Sequence, residues 1–594
     1  MANLVSPGYE RSALINNILA PNEERVIEFK GLNRRTVVAE GEMSDMWNLT
    51  ADNYPVLSPR KPRGILDIPE SIMRPIQIVR RFDKLGLIAI DENDPEDENP
   101  TTTVSFYYDG VKVNEVTGLS TESRAVAINN RMCFFPQKTC IDITIDGVKP
   151  GTFRSLESSV DLASDTPVVI TNEDSRISLP SGHGFKYDDA INITGTLSYT
   201  TTDEQTATMP VNVSCVIEAV ENENTLVLPR ETFIEMTGEG ASSIQLTSGT
   251  EIERTMPDLD FIVEWNNRLW GASNKDNTIY ASKLGDPSNW QYFQGTGMDS
   301  YYAEQGTDER FSAIAEYSGH IMFFKPNSIT RVYGTSPQSF QITNTKAYGV
   351  EYGSSASALT INDTVYYKSA VGIMAYQGGT PFCISDKLGI EFKNVVAGTE
   401  GTKYYASCLA KAGASYEGRI IVFDIEKGLW HMEDDKRFTS TCKIGNKIYY
   451  TTALADILVC DTDVFVEPDL MCSTDSVVGE VGIFNPDVPT ETYDDFNWMA
   501  QFGPFDEYIE EHKIYSKLAM RLKANGEASA RVYISINEGP WEQVENYEHV
   551  STKGDFIPII PRRCDRYSVR VEGTGNCEIK SLTRRVRRGS FGRL

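Results

Sequence analysis

Residues Asp260 to Ser282 read DFIVEWNNRLWGASNKDNTIYAS and show most clearly how this chain folds. A short apolar strand leads into the turn Asn266-Asn267, a second strand follows at once, and another turn leads into a third strand. Asn and Gly tolerate the positive φ angles of tight hairpins, so this order predicts a small antiparallel sheet. The same plan returns at Ser123 to Thr144, Phe311 to Gly334 and Ala358 to Tyr376, with weaker copies at Pro75 to Asp91, Tyr404 to Trp430 and Thr439 to Asp461.

These copies recur about every 40–50 residues, which is the spacing of β-propeller blades. A single blade cannot bury both of its faces, so the copies must pack against one another around a common axis. We therefore predict an all-β protein built on a β-propeller of six to eight blades.

The segments outside the repeats predict further domains. Residues 152–250 alternate apolar and polar side chains between Gly and Asn turns, which indicates a small β-barrel inserted between blades. Residues 513–583 alternate in the same way and predict a β-sandwich of about seven strands. The full predicted order is an extended lead-in at 1–70, first blades at 71–151, the barrel at 152–250, remaining blades at 251–465, an acidic irregular crossover at 466–512, the sandwich at 513–583 and an Arg-rich tail at 584–594.

Composition points to a globular protein with substantial cores. The 594 residues are 40% hydrophobic and 10% aromatic, which is not the profile of a disordered chain. No signal peptide and no run of about 20 apolar residues is visible. We therefore expect that the chain does not insert into a membrane and that it assembles in a reducing cytoplasm. The ten cysteines form no CxxC pair; Cys133 and Cys140 flank one predicted hairpin, where buried thiols are favoured over a disulfide.

Charge is strongly negative, with a formal value of −28, and it is unevenly spread. The last eleven residues, RRVRRGSFGRL, hold five Arg and no acid. An acidic body disfavours nucleic-acid binding, which depends on Lys and Arg. For the tail, nucleic acid and an acidic partner surface remain alternative partners. The acidic loop Asp91 to Glu98 lacks EF-hand spacing, so a solvated loop is favoured over a calcium site.

A search for catalytic chemistry finds no constellation. The five His have no metal-ligand spacing, and HExxH, GxSxG, P-loop and GxGxxG motifs are absent. The stretch from Ser535 to Trp541 approximates the Asp-box of sialidases, a folding feature, but Asn537 replaces the Asp. We accordingly predict no catalytic, cofactor-binding or metal-binding residues, no cofactor, and no enzymatic activity. Four aromatic residues are candidates either for stacking on sugars or, as favoured, for the blade core: Trp270, Trp290, Tyr301 and Tyr302.

Four segments together resemble a known family, the tail nozzle or packaged-DNA stabilisation proteins of tailed bacteriophages. The lead-in GLNRRTVVAEGEMSDMWNLTADNYPVLSPRKPRG resembles the start of these proteins, and NNRLWGASNKDNTIYASKLGDPSNW resembles their propeller strands. The insertion segment DDAINITGT with VIEAVENENTLVL is similar to an insertion in phage tail proteins, and the ending CEIKSLTRRVRRGS is similar as well. The resemblance covers most of the chain.

The resemblance implies a structural virion protein of the phage tail. Such proteins form a homo-oligomeric ring, usually a hexamer, below the portal and its head-to-tail adaptor. The ring extends the DNA channel, retains the packaged genome, passes double-stranded DNA through its lumen during ejection, and holds tail fibre or tail-tip proteins. The family supplies no catalytic residues. Acidic walls would let a duplex slide, and the irregular arms at both ends would interlock subunits.

Two other classes of function remain open. One is a glycan-binding or receptor-binding propeller at the tail tip. The other is a glycoside hydrolase, whose paired carboxylates cannot be chosen from 84 Asp and Glu without geometry.

Overall fold

The structure is a computed structural model that describes residues 22–92, 102–171, 173–180, 182–238, 240–452, 481–484, 486–506, 513–550 and 554–588. The chain divides into two compact units. Unit 1 comprises residues 1–67, 371–458 and 479–594, and unit 2 comprises residues 68–370 and 459–478. In the described part of the lead-in, five short strands are present: β1 (Asn22–Val26), β2 (Met43–Trp47), β3 (Leu49–Thr50), β4 (Ser58–Pro59) and β5 (Gly64–Ile65).

Two antiparallel blades follow in unit 2. Blade 1 has the order β6-β7-β8-β9, and blade 2 has the order β10-β11-β12-β13 with β14 also paired to β12. Their strands are β6 (Ile72–Arg81), β7 (Lys84–Glu92), β8 (Thr102–Tyr108), β9 (Val111–Lys112), β10 (Arg124–Ile128), β11 (Arg131–Phe135), β12 (Thr139–Thr144), β13 (Gly147–Val148) and β14 (Arg154–Ser155).

An inserted domain interrupts the blades after β14. Its nine strands form one connected sheet around their own core, which includes Ile193, Leu197 and Phe233. The first and last strands pair, with Ser158 opposite Arg254. The elements are β15 (Ser158–Asp161), β16 (Thr166–Ile170), β17 (Asp174–Ser178), β18 (Ala190–Thr200), β19 (Thr206–Val216), β20 (Ala219–Asn222), β21 (Thr225–Pro229), helix α1 (Glu231–Thr237), β22 (Ser242–Leu246) and β23 (Glu251–Arg254).

Three further blades follow, each with four strands in sequence order. Blades 3 and 4 lie in unit 2. Short 3-10 helices lie at Pro337–Ser339, Ser355–Ser357 and Asp386–Leu388. The strands are β24 (Phe261–Trp265), β25 (Arg268–Ser273), β26 (Thr278–Ala281) and β27 (Tyr301–Glu304); β28 (Ala313–Tyr317), β29 (His320–Lys325), β30 (Ser328–Tyr333) and β31 (Gln341–Lys346); and β32 (Leu359–Ile361), β33 (Thr364–Ser369), β34 (Gly372–Tyr376) and β35 (Phe382–Cys383).

The last two blades belong to unit 1. Blade 6 is again built from consecutive strands, whereas blade 7 has the order β40-β41-β42-β5 and so takes its final strand from the lead-in. The strands are β36 (Phe392–Thr399), β37 (Lys403–Ala412), β38 (Ser415–Asp424) and β39 (Leu429–Met432) in blade 6, and β40 (Phe438–Ile444), β41 (Lys447–Thr452) and β42 (Val481–Phe484) in blade 7.

These seven sheets make a seven-bladed β-propeller arrangement, which confirms the predicted all-β propeller class. Within unit 2 the first strands of blades 1 to 5 lie side by side in succession, and within unit 1 those of blades 6 and 7 do so. The hairpin chemistry is also as the sequence predicts. Asn266, Asn267, Asn362 and Asp363 all have φ between 45° and 60°, the left-handed region that Asn and Asp tolerate.

The C-terminal region and the lead-in form one further sheet in unit 1. Its main order is β2-β43-β47-β44-β45, with β1 paired to β47 and β46 paired to β44. The two longest strands have 24 and 22 residues, and their pairing register shifts between Ala524 and Ala528. The strands are β43 (Trp498–Phe505), β44 (Lys513–Ile536), β45 (Glu542–Tyr547), β46 (Gly554–Cys564) and β47 (Tyr567–Arg588).

Two sequence expectations need correction in this region. The range 466–512 was expected to be an irregular crossover, yet β42 and β43 lie within it and belong to two sheets. Their apolar residues, including Phe484 and Trp498, are buried in those sheets. The Arg-rich tail was expected from 584 onwards, but Arg584 is a buried residue of β47 that donates to both carboxylate oxygens of Glu40 at 2.9 and 3.0 Å. Residues 589–594 lie outside the described residues.

Candidate functional site

The four aromatic candidates separate into core and surface. Trp270 and Trp290 are buried, so the favoured interpretation as blade core is right for both. Tyr301 is half-buried against the Trp270 cluster. Tyr302 is 57% exposed and is the member of the set that faces solvent.

Tyr302 belongs to an exposed aromatic surface on blade 3. We call Phe293, Met298 and Tyr302 the blade 3 aromatic surface; their exposed fractions are 49, 45 and 57%. The rings of Phe293 and Tyr302 lie 5.8 Å apart in an edge-to-face arrangement. Rings held in this way offer apolar faces and edges on which a sugar or another apolar group can pack.

The loop that carries this surface is held by Arg268 and Asp299. The buried Arg268 guanidinium donates to the carbonyls of Ser282 and Gly297, each at 2.7 Å, and burial lowers the pKa of Arg268 to about 10. The Asp299 carboxylate accepts from the backbone N–H groups of Gly295 and Thr296 at 2.7 and 3.0 Å. Burial opposes ionisation of Asp299, but these hydrogen bonds lower its pKa overall. The loop is therefore fixed in position before any ligand arrives.

A polar junction joins this loop to the inserted domain. Tyr292 donates its hydroxyl to Asp188 at 2.9 Å, and Lys283 pairs with the same carboxylate. The Lys283 ammonium also lies 3.7 Å from the centre of the Tyr292 ring. Burial raises the pKa of Tyr292 to about 12, and the Asp188 carboxylate adds to the rise. Tyr187, which is 70% exposed, precedes Asp188 in the chain, and Phe293 follows Tyr292.

A second, buried contact fixes the inserted domain to blade 3. Asn289 of the blade 3 loop accepts from the backbone N–H of Ala190 at 2.9 Å. Next to Ala190, Asp189 pairs with Arg254 within the inserted domain. Burial raises the pKa of Asp189, although the charge of Arg254 opposes the rise. The junction is dominated by paired charges and amides, which suits positioning of the inserted domain better than acid–base chemistry.

A group of residues with shifted pKa values lies in unit 1, where the lead-in packs on blades 6 and 7. Arg63 donates to Glu433 at 2.5 Å and to Asp434 at 2.7 Å, and Arg60 donates to Glu491 at 2.8 Å. We call these five residues the lead-in charge cluster. Burial opposes the charge on Arg63, but the carboxylates of Asp434 and Glu433 raise its pKa. Hydrogen bonds and charge from Arg60 lower the pKa of Glu491 to about 2 despite its burial.

Close to the lead-in charge cluster, His431 is fully buried and neutral. Burial lowers its pKa to about 4, and the charge of Lys403 contributes to the fall. Lys403 pairs with Asp52 of the lead-in. Burial opposes the charge on both, but their mutual attraction lowers the pKa of Asp52 and raises that of Lys403. Perturbed pKa values occur at active sites and in structural ion-pair networks alike, and here the charges are mutually paired.

Other features singled out in the sequence have structural positions. Cys133 and Cys140 face each other across β11 and β12 as free, buried thiols, as favoured from the sequence. Asn537 of the Asp-box-like stretch accepts from the backbone N–H of Asp565 at 2.9 Å and fixes the turn between β44 and β45. In the acidic loop, Asp91 is buried, accepts from Tyr107 at 3.0 Å and pairs with Lys112. Residues 93–98 of that loop lie outside the described residues.

Two kinds of feature are absent from the described part of the chain. No group of three or more His, Cys, Asp or Glu there has the arrangement to hold a metal ion. None of the helices that the structure describes has the length and apolar character needed to cross a bilayer.

No protein-family model and no curated protein matches the sequence. Among solved structures, the chain is similar to phage phi92 endosialidase with a TM-score of 0.25 and 10% identity over 71% of this chain and 68% of that one. It is similar to the exo-β-1,3-galactanase of Phanerochaete chrysosporium with a TM-score of 0.22 and 9% identity over 55% and 95% of the two chains. It is also similar to Kluyveromyces lactis Hsv2 with a TM-score of 0.24 and 14% identity over 50% and 88%.

These neighbours correct one sequence prediction. We expected no enzymatic activity because catalytic motifs are absent, yet two of the similar structures are, by name, an endosialidase and a galactanase. The prediction that the chain is not an enzyme, which was drawn from the missing motifs, is therefore wrong. At such identities and TM-scores, the similarity assigns no activity to this chain.

Proposed function

We propose that this chain is a β-propeller protein of a bacteriophage tail. The proposal is supported by the four segments that resemble phage tail proteins. These segments lie in the lead-in, blade 3, the inserted domain and β47. On this proposal the protein is made in the bacterial cytoplasm and resides in the virion tail.

The finer role that the sequence resemblance supports is that of a tail nozzle. In this role the chain forms a ring, with six subunits expected, below the portal and adaptor. It conducts double-stranded DNA and contacts fibre or tail-tip proteins. The observation that carries this role is the place of the lead-in, which has the longest resembling segment. It closes blade 7 through β5 and supplies β1 and β2 to the C-terminal sheet.

Electron microscopy tests the nozzle directly. The purified chain, alone and mixed with the head-to-tail adaptor of the same phage, is examined in negative stain. Rings with an axial hole are expected, and they should stack on adaptor rings. Monomers under both conditions would contradict the nozzle role.

Deletion of the inserted domain tests whether it makes the intersubunit or fibre contacts, a role that we propose for it and for the loop 91–98. Since Ser158 lies opposite Arg254, a short Gly-Ser linker can replace residues 158–254 without separating blades 2 and 3. We expect a folded protein, by circular dichroism and thermal unfolding, that fails to assemble into virions. Normal virion yield from the deletion phage would contradict this role.

The second candidate is recognition of a glycan receptor, and the blade 3 aromatic surface favours it. The names of the phage and fungal neighbours accord with this candidate. Stacking of sugar faces on Phe293 and Tyr302 would supply the apolar part of the contact. Asp188 would supply the hydrogen-bonding part.

A glycan array tests the second candidate. If it holds, the chain gives a selective signal that falls about tenfold or more in Tyr302→Ala, because the stacking ring is lost. Tyr348→Ala is the matched control, since Tyr348 is also an exposed tyrosine of unit 2, at 49%. An array without selective signal, or equal loss in both variants, would rule out this surface as the receptor site.

A further inference from the structure

One stretch of the C-terminal sheet is basic although the protein is acidic overall. The strands concerned are β1, β44 and β47, which lie side by side in unit 1. The residues that form what we call the basic sheet face are Arg25, Lys517, Arg521, Lys523, Lys580 and Arg585.

The alternation of burial along the strands places these side chains on one side. Leu518, Met520, Leu522, Leu582 and Val586 are buried, so their neighbours along each strand point away from the core. Register brings the outward positions together. Lys517 lies opposite Arg585, Arg25 lies opposite Thr583, and Arg521 lies opposite Ser581, next to Lys580.

Only part of this positive charge is neutralised within the sheet. Arg585 pairs with Glu23 at 2.6 Å, and Lys523 lies 3.6 Å from Glu578. Arg25, Arg521 and Lys580 are exposed and make no ion pair with any residue that the structure describes. Unpaired like charges on neighbouring positions of a sheet repel one another, so binding of an anionic partner would reduce this electrostatic repulsion.

We propose that the basic sheet face binds the phosphate backbone of duplex nucleic acid without reading its sequence. Three further outward residues of β44 and β47 in this stretch are small or polar, namely Ala519, Thr583 and Asn525. Lys, Arg and hydroxyl or amide side chains are the groups that contact phosphates.

Size and charge also fit a duplex. From Lys517 to Lys523 the strand advances about 20 Å at about 3.3 Å per residue. A duplex carries one phosphate per about 1.7 Å of axis, so about six of the twelve phosphates over that length face the sheet. Six cations are present, and three of them, Arg25, Arg521 and Lys580, make no ion pair with any residue that the structure describes. Because the chain as a whole is acidic, at −28, it repels a duplex elsewhere and restricts the contact to this face. This inference does not depend on either role proposed above.

The test is fluorescence anisotropy of the full chain with a labelled 30-base-pair duplex of arbitrary sequence, at 20 to 200 mM salt. About three net phosphate contacts predict a slope of log K against log salt of about −2.7. R25Q/R521Q/K580Q should flatten that slope by about 2.7, and R521Q alone by about 0.9, which keeps the test valid if the triple variant folds poorly. K149Q/K186Q/K346Q is the control: it removes three exposed cations of unit 2 and should leave the slope unchanged.

Three results would overturn the proposal. The first is no binding by the unmodified chain at 20 mM salt. The second is equal weakening by the control variant. The third is loss of self-association in sedimentation velocity by R25Q/R521Q/K580Q without any effect on DNA, which would assign the face to a second copy of this acidic chain.

Discussion

Blades 4 and 7 have the same four-stranded plan but are completed in different ways. Blade 4 uses four strands in succession, from Ala313–Tyr317 to Gln341–Lys346. Blade 7 takes its outer strand, Gly64–Ile65, from the lead-in, where it pairs with Val481–Phe484. A local blade can form by consecutive hairpins, whereas a blade closed from a distant segment must also offset the entropy of closing a long loop.

The chemistry around the two blades differs accordingly. Blade 4 is stabilised by apolar packing, with Ile321 and Phe323 buried beside Trp270 of blade 3. The two-residue strand β5 buries little apolar area, and the lead-in charge cluster flanks it instead. Arg63 directly precedes β5, and its guanidinium lies 4.6 Å from the centre of the Phe484 ring in β42. The comparison indicates that a short closing strand depends on charged contacts where a long one depends on core packing.

The largest effect should follow from removing the central cation of the closure. Arg63→Ala removes the buried partner of Glu433 and leaves Asp434 with Arg60 alone. Loss of one partner of a buried ion pair costs about 3–5 kcal/mol. We expect chemical denaturation to show that loss, and hydrogen exchange to rise in β5 and β42 before it rises in blade 4.

The matched control is Arg35→Ala. Arg35 also belongs to the lead-in and pairs with Asp386 at 3.3 Å, but its side chain is 49% exposed, so the cost should stay below about 1 kcal/mol. Equal destabilisation by Arg63→Ala and Arg35→Ala would show that the buried charges beside β5 contribute no more to stability than an exposed ion pair.

Acid should weaken blade 7 through Glu491. Its pKa is lowered to about 2 in the folded protein from an ordinary 4.5, so its stabilisation is complete above about pH 4.5 and disappears as pH falls towards 2. Glu491→Gln should cost about 1.5–3 kcal/mol at pH 7, the range for hydrogen bonds to charged groups. The two proteins should converge in stability near pH 2. A difference that stays constant from pH 7 to pH 2 would show that the charge of Glu491 is not what stabilises the closure.

The smallest effect is expected in the core of blade 4. Ile321→Val removes one buried methyl group and should cost about 0.5–1.5 kcal/mol, independent of pH between 3 and 7. Thermal unfolding at both pH values measures it. A clear pH dependence would mean that blade 4 is also stabilised by charge, and the contrast between the blades would fail.

The candidate sites were predictable only where a local pattern carried them. The aromatic residues of blade 3 are visible in the sequence, but Trp270 and Tyr302 differ in exposure because one lies in an inner strand and the other in the edge strand β27. Phe293 and Met298 escaped notice since the loop that presents them has no periodic pattern. Arg60 and Arg63 were part of the segment YPVLSPRKPRG, yet nothing local indicates that two cations beside three prolines are buried against blades 6 and 7.

The blades follow from local sequence, because each is a set of hairpins whose turns need Asn, Asp or Gly at positive φ and whose strands alternate within a few residues. The sequence also determined the absence of an extended apolar segment and the concentration of Arg near the C-terminus. Tertiary structure alone decided that β5 completes blade 7, that β1 and β2 join β43 to β47, and that Arg584 is buried while Arg585 faces outward. Those outcomes depend on pairing between segments far apart in the chain, and residue periodicity records which face a strand buries but not which strand it pairs with.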